Sequence, residues 1–458
     1  MATRQNRSRQ NPLSICKAEA NTSAKKSDEK KRKEKILVIG GGAAGYFAAI
    51  AAAKCSQNAV TIVEQSGSPL EKVRISGGGR CNVTNVISEA VKLAGHYPRG
   101  HKELKGAFFR VFGSEDVREW FESRGVELKV ERDGRIFPVT NKSETIIKCL
   151  QNEADRNNVE ILLNANAKTV VRHEKKENDK TDDEDSNDNP SCFHTSVKLG
   201  GKVREIDSTS VILATGSSRT GWEIAKGLGH SVIPPYPSLF SFKCTDKNLK
   251  QMQGLSLPSV AATLKVNGCK FEESGPLLIT HWGLSGPVVL KLSAWAAREL
   301  AACKYSGVLH LDMCAEKSYE EVEGELLSMK KRKLRKLSAA PPSLQTLPRR
   351  LWNYILGRQG LEQDKIYSEC KDADLRRLAR SCKRLEVEFS GKGPFKEEFV
   401  TAGGVDLKEV NLKTMESKIT PRLYFAGEVL NVDGVTGGFN FQNAWTSGYL
   451  SGTHIAEG

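Results

Sequence analysis

The chain has 458 residues, and its 69 Lys and Arg against 55 Asp and Glu leave a net charge of +14. Two or three domains fit that length, and no run of about eighteen apolar residues is present to cross a membrane. Its 11 Cys contain no C-x-x-C pair, a pattern of reduced thiols that speaks against a disulfide scaffold, a dithiol reductase and a structural zinc site, so no metal is expected.

In chain order, a basic leader comes first. Residues 1–35 hold 11 Lys or Arg and four Asp or Glu. Arg4, Arg7, Arg9 and Lys17 stand in an acid-poor, Ser-containing stretch that lacks the apolar core of a secretory signal. Its composition reads as an organellar transit peptide, and its poor amphipathicity favours the plastid; a disordered cytoplasmic tail is the alternative. Residues 1–33 are excluded from the fold.

The segment KILVIGGGAAG at 35–45 reads as strand, glycine turn and helix start. Ile36 to Ile39 form the continuous apolar run of a parallel strand buried on both faces. Gly40, Gly42 and Gly45 occupy the three positions of G-x-G-x-x-G, for the tight turn, the approach of a pyrophosphate and close helix packing. Ala43 and Ala44 open a helix whose N-terminal amides suit phosphate. A second apolar strand, 59–63, ends on Glu64, 19 residues after Gly45, where a carboxylate accepts hydrogen bonds from an adenosine ribose. This unit predicts a bound dinucleotide, FAD or NAD.

Residues 72–85, KVRISGGGRCNVTN, suit a loop wrapped around a cofactor. Ser76 precedes Gly77, Gly78 and Gly79, which leave amides unobstructed. Lys72 and Arg80 bring positive charge, and Asn82 and Asn85 bring paired donors and acceptors. Cys81, without a partner thiol at redox spacing, reads as a packed small residue in preference to a reactive one. Residues 173–190 are polar and charged, a disordered insertion between strands. The strand 211–216 closes this unit on Thr215 and Gly216.

From 238 to 316 the pattern alternates as strands and turns, a separate β-rich region. Residues 317–387 read as helical, with an amphipathic, basic helix over 319–336. Six Lys or Arg fall within 330–336. Neither this cluster nor the leader is interleaved with aromatics, so a solvated helix face is preferred to a nucleic-acid surface. A strand at 385–389 leads back, and 423–427 is one more buried strand. After Gly427, Glu428 stands where two-dinucleotide-fold flavoproteins place an acid on the ribityl chain of FAD, and Asp433 is near enough in sequence to share that task. Gly437, Gly438, Phe439 and Asn440 then open the last helix, whose amides would face the N1–C2=O edge of a flavin. The second fingerprint selects FAD over NAD. The nucleotide domain is therefore expected in two parts, 34–217 and 388–458.

On these residues the chain resembles the BaiN and aminoacetone-oxidase-like family of FAD-dependent oxidoreductases. The resemblance is carried by 72–85, by GRIFP at 134–138, THWGLSGP at 280–287, TAGGV at 401–405, and 414–418 together with GGFNFQ at 437–442. It implies an α/β fold, with a Rossmann-like FAD domain interrupted by a β-barrel-like domain and a small helical domain. It also implies non-covalent FAD. One departure is the short path from Gly216 to Leu228-Gly-His230, where relatives carry a longer loop.

The expected activity is hydride transfer between flavin N5 and a small organic substrate. No second Rossmann unit is present, so NAD(P)H is expected to act, if at all, as a transient reductant sharing the substrate's pocket. His281 is the candidate acid or base, with a structural role in its Gly- and Pro-rich turn as the alternative. A flavoprotein acting on RNA and a non-catalytic flavin-binding protein are the competing readings.

Overall fold

The computed structural model describes residues 34–173, 192–332, 335–393 and 400–458. The expected leader and, apart from His173, the expected insertion at 173–190 lie outside the described residues.

Three early segments fold as their patterns require: strand β1 (Lys35–Ile39), helix α1 (Ala43–Ala52) and strand β2 (Ala59–Val63). Strands β3 (Ser210–Leu213) and β4 (Leu423–Phe425) and helix α2 (Phe439–Glu457) complete the nucleotide core. Five parallel strands lie in the order β4, β3, β1, β2 and Glu160–Leu162, with two short antiparallel strands beyond β4. Leu37 stands opposite Val211, and Val211 opposite Leu423. The last strand of the chain thus joins the sheet begun by the first, as the interrupted-domain reading requires.

The unbroken apolar runs are explained by burial on both faces. Ile36 and Val38 enter a core with α1 and Trp445, whereas Leu37 and Ile39 enter a second core on the opposite face. There they meet an antiparallel meander of Ala165–Arg172, Phe193–Leu199 and Lys202–Ser208. Each such aliphatic side chain contributes roughly 1.5–3 kcal/mol on burial. α1 and α2 pack backbone to backbone. A Cβ on Gly448 would lie 2.5 Å from the Ala44 carbonyl oxygen, and one on Gly452 2.2 Å from that of Ala48. Only glycine permits this approach.

The chain leaves the FAD lobe through Val232–Ser238 and returns through Val400–Val405, and these two strands pair antiparallel, Ser238 opposite Val400. Between them lies a closed six-stranded antiparallel barrel, in which Phe242–Cys244, Gly283–Ser285, Cys269–Ile279, Ser256–Val266, Ser306–Asp312 and Leu385–Lys392 are successive neighbours. Phe242 and Phe389 stack across its closure with centroids 4.3 Å apart. The helices Tyr319–Ser328, Arg349–Arg358 and Asp372–Lys383 share the barrel's core.

Two expectations are corrected. The strand Leu385–Lys392 does not begin the returning FAD lobe at 388: it closes the barrel, with Val387 opposite Leu309 and Phe389 opposite Cys244. The lobe resumes at Val400. The basic helix expected over 319–336 stops at Ser328 and tightens into a 3-10 turn at Met329–Lys331. A longer helix would stack like charges three and four residues apart, and Leu337 is instead drawn fully into the core.

Candidate functional site

The carboxyl ends of β1, β2 and β3 border a cleft lined by Gly40, Glu64, Gln65, Ala167, Thr215 and Ser218. Parallel sheets bind ligands at such a switch point, where strands on either side of β1 diverge. Glu64 organises the floor: its carboxylate accepts from the amide of Gly41 at 2.7 Å and from the amide and hydroxyl of Ser66, both at 2.8 Å. Gly45 is dictated by packing, since a Cβ there would lie 1.9 Å from the Gly40 oxygen. Gly42 is not. It has an ordinary φ of −89°, and among the described residues nothing lies within 4 Å of where a Cβ would stand, so no contact there demands glycine. Its open side is where the pyrophosphate of a dinucleotide would pass.

A second junction forms around Glu428. Lys72 Nζ donates to Glu428 Oε2 at 2.6 Å and to Ser217 Oγ at 3.0 Å, and Glu428 Oε1 accepts from the Thr401 amide at 2.9 Å. Gly216 lies beside the carboxylate, and Gly427 packs against Ala44 at the start of α1. One acidic side chain therefore joins the 72–85 segment, the β3 turn, the returning strand and the C-terminal fingerprint.

The 72–85 segment is not an open loop. Glu71–Gly79 is helical with a break at Ser76–Gly78, and Ser76 Oγ caps it by donating to the Val73 oxygen at 2.8 Å. Gly77, Gly78 and Gly79 all take positive φ. Asn82, its amide oriented by its partners, accepts from the Gly438 amide at 2.8 Å and donates to the Thr84 oxygen at 3.0 Å. Asn85 Nδ2 donates to the Gly437 oxygen at 3.1 Å. The two asparagines clamp the glycine pair that starts α2. Neither α1 nor α2 has a side chain capping its first turn, so two helix N-termini keep amides and positive dipole for an anionic or polarised ligand. Thr215 Oγ1 is buried without a hydrogen-bond partner. Open glycines, uncapped helix starts and an acid between the two glycine turns fit FAD.

Several expected cofactor contacts are placed otherwise. Asp433 is fully buried, and its carboxylate is held by the Arg99 guanidinium and by Ser238 Oγ, the latter at 2.8 Å. With no exposure to solvent, it has no surface to offer a ribityl chain. Arg80 donates to Glu131 at 2.6 Å and lies over the Phe137 ring at 4.1 Å, so its charge is neutralised within the chain. The Asn440 amide accepts from and donates to the Gly434 backbone, both at 2.8 Å. Phe439 is buried and stacks on His96 with centroids 4.3 Å apart. Cys81 is buried, and burial pushes its thiol up to about 12, in keeping with a packed residue. His281 is exposed on a barrel turn, edge-on to Trp282. Among the described residues no hydrogen bond or ring contact ties it to the junction.

Residues that the sequence reading did not single out also belong here. Thr401 and Ser217 hold Glu428 and Lys72; Thr401 lay inside the TAGGV motif, and Ser217 begins the short path that departs from the family. Arg99 gave no signal: it resembles any surface base until the fold buries it. Its guanidinium also donates to the Ala294 oxygen at 2.7 Å, so it rivets the FAD lobe, the connecting strand and a barrel helix together.

Residues 34–454 match the family model described as HI0933-like protein Rossmann domain. The chain is 29% identical over 411 residues to a 3-dehydro-bile acid delta(4,6)-reductase of Clostridium scindens, covering 90% of this chain and 96% of that protein. It is 30% identical over 401 residues to a ribosomal RNA dihydrouridine synthase of Haemophilus influenzae, covering 87% and 92% respectively. Among solved structures, a 3-ketosteroid-delta4-(5alpha)-dehydrogenase from Rhodococcus jostii RHA1 aligns over 95% of this chain and 99% of its own, at 13% identity and a TM-score of 0.48. The chain belongs to the HI0933-like family of Rossmann-fold flavoproteins and is an FAD-dependent oxidoreductase.

Proposed function

We propose that this protein saturates a carbon–carbon double bond conjugated to a carbonyl in a small organic substrate, with NAD(P)H as transient electron source. The observation that carries this reading is the chemistry shared by relatives of unlike substrate. A delta(4,6) 3-dehydro steroid and the uracil ring reduced in dihydrouridine both present a double bond next to a carbonyl. Reducing such a bond adds a hydride to the carbon β to the carbonyl and a proton to the α carbon. FAD supplies a two-electron carrier that takes and gives hydride at N5.

The chain's own residues hold and polarise. Glu64 would take the adenosine ribose, and the amides at the start of α1 the pyrophosphate. Glu428, held by Lys72 and Thr401, would take the ribityl hydroxyls. Gly437 and Gly438, clamped by Asn85 and Asn82, would present α2 amides to the ring edge on which negative charge develops during reduction. His281 is given no step.

A second reading places the double bond in a uracil of RNA. The specific observation favouring it is that the helix expected over 319–336 ends at Ser328, and Met329–Lys331 form a 3-10 turn that leaves Lys331 exposed. Holoprotein is mixed anaerobically with NADPH or NADH, then with conjugated enones, saturated ketones or uridine-containing RNA, while flavin absorbance is followed. Enones should reoxidise the reduced flavin and saturated ketones should not. Reoxidation by RNA alone would select the second reading. Equal response to saturated and unsaturated ketones, or to none of the three, would overturn the proposal.

A further inference from the structure

The positive charge of this chain is not spread over its surface. Residues 317–384 hold 17 Lys or Arg and nine Asp or Glu, an excess of eight, and residues 1–35 an excess of seven. The rest of the chain has 41 Lys or Arg against 42 Asp or Glu. The helical insert is thus one of two strongly cationic segments, with residues 1–35, in a chain that is otherwise close to neutral.

Within the insert, three segments lie side by side. The Leu337 amide donates to the Lys365 oxygen at 2.8 Å, the Tyr367 amide donates to the Arg335 oxygen at 2.9 Å, and Lys330 pairs with Asp372. Lys331, Arg332, Arg335 and Lys371 are exposed and Lys365 is half-buried. Among the described residues none of these five side chains has an ion pair or hydrogen bond. Lys336 adds a sixth charge, exposed and paired with the exposed Asp364 at 3.1 Å. Cations placed together without acidic partners repel one another, a cost that a polyanion relieves by releasing its counterions.

We propose that Lys331, Arg332, Arg335, Lys336, Lys365 and Lys371 form a docking surface for the phosphate backbone of RNA. An anionic membrane is the other polyanion of this size. Binding at a bilayer surface, however, combines basic residues with inserted apolar ones, and among the described residues the exposed large hydrophobic ones, such as Ile75, Val130 and Leu278, all lie outside 317–384. The surface also lacks exposed aromatics on which bases could stack. It therefore reads phosphate and not sequence. The inference stands on the charge distribution and bears on the RNA reading of the substrate: docking is a binding property, and turnover of a uracil is separate.

The test uses the full chain with FAD bound. Fluorescence anisotropy of a labelled single-stranded RNA is titrated at several salt concentrations with wild type, K331E/R332E/R335E, and a charge-matched control, K198E/K202E/R204E, on the exposed meander. The insert variant should bind about ten-fold or more weakly, with a slope of log affinity against log salt shallower by about two, the value for three lost contacts to a single strand. Its flavin content and reduction by NAD(P)H should be unchanged. Wild-type affinity in the insert variant, or an equal loss in the control, would overturn the proposal. Binding of phosphatidylserine vesicles in place of RNA would overturn it in favour of a membrane. Docking lost without any change in RNA turnover would leave this surface standing while sinking the uracil reading.

Discussion

Arg99 and Asp433 form the buried ion pair on which the two lobes meet. Replacing Arg99 with Met keeps most of the side chain's volume and removes its charge. The Asp433 carboxylate, with no exposure to solvent, then keeps one hydroxyl partner, Ser238. Removing one member of a buried pair costs about 3–5 kcal/mol because the remaining charge stays desolvated. The whole stability of a domain is of order 5–15 kcal/mol, so the loss should be plain in urea unfolding of the full chain. D433N should cost less, since the Ala294 oxygen still accepts from Arg99 and an amide oxygen replaces a carboxylate. Removing both charges, R99M/D433N, should cost less than the two single losses summed, with a coupling of about 1–3 kcal/mol for residues in one network. Both single variants should also release FAD more readily, because Asp433 stands between Glu428 and the glycines that begin α2. Unfolding of R99M within about 1 kcal/mol of wild type, or strict additivity in the double variant, would refute the argument that this pair locks the lobes.

Other outcomes follow from single residues. Gly42→Asp should fold normally, since nothing lies within 4 Å of the new Cβ, yet emerge largely without flavin, as should Glu64→Lys; a normal flavin-to-protein absorbance ratio in both would refute the N-terminal assignment. Cys81, its thiol pushed up to about 12 by burial, should resist iodoacetamide at pH 8 in the native protein, where on the order of one molecule in ten thousand is thiolate, while exposed Cys269 is alkylated; rapid labelling of Cys81 would restore a redox role. For Glu153, burial works against ionisation, but hydrogen bonds from Arg156 and Arg124 outweigh it and hold the carboxyl below its ordinary value. A depressed folded-state pKa stabilises above the unfolded value, about 4.3, and that contribution fades as pH falls through the folded one. E153Q should therefore be less stable than wild type at pH 7, and the gap should close in acid; a gap that does not change with pH would contradict this.

The sequence made the FAD lobe legible because its signals are local. A glycine turn, two apolar strands and an acid at a set spacing sit within thirty residues, and the motif from Gly427 to Asn440 repeats that compactness. Less visible was which polar side chains would face a ligand and which would hold the chain to itself. Asp433 and Arg80 have suitable chemistry and suitable neighbours in sequence, but their partners come from elsewhere: Arg99 lies 334 positions from Asp433, and Glu131 lies 51 from Arg80. Spacing along the chain carries no information about such pairs. The end of the barrel was missed for a related reason, since an alternating strand at 385–389 fits equally well at the rim of one sheet or the closure of another.

The paired strands Val232–Ser238 and Val400–Val405 have an evolutionary consequence. Because Ser238 and Val400 face each other in register, the chain enters and leaves the insert at one point. A tight hairpin turn could bridge the two strands there. The barrel and its helices are thus topologically a single insertion at one paired ribbon of the nucleotide fold. Such an insertion can diverge, be exchanged or be recharged without disturbing the register of the parent sheet.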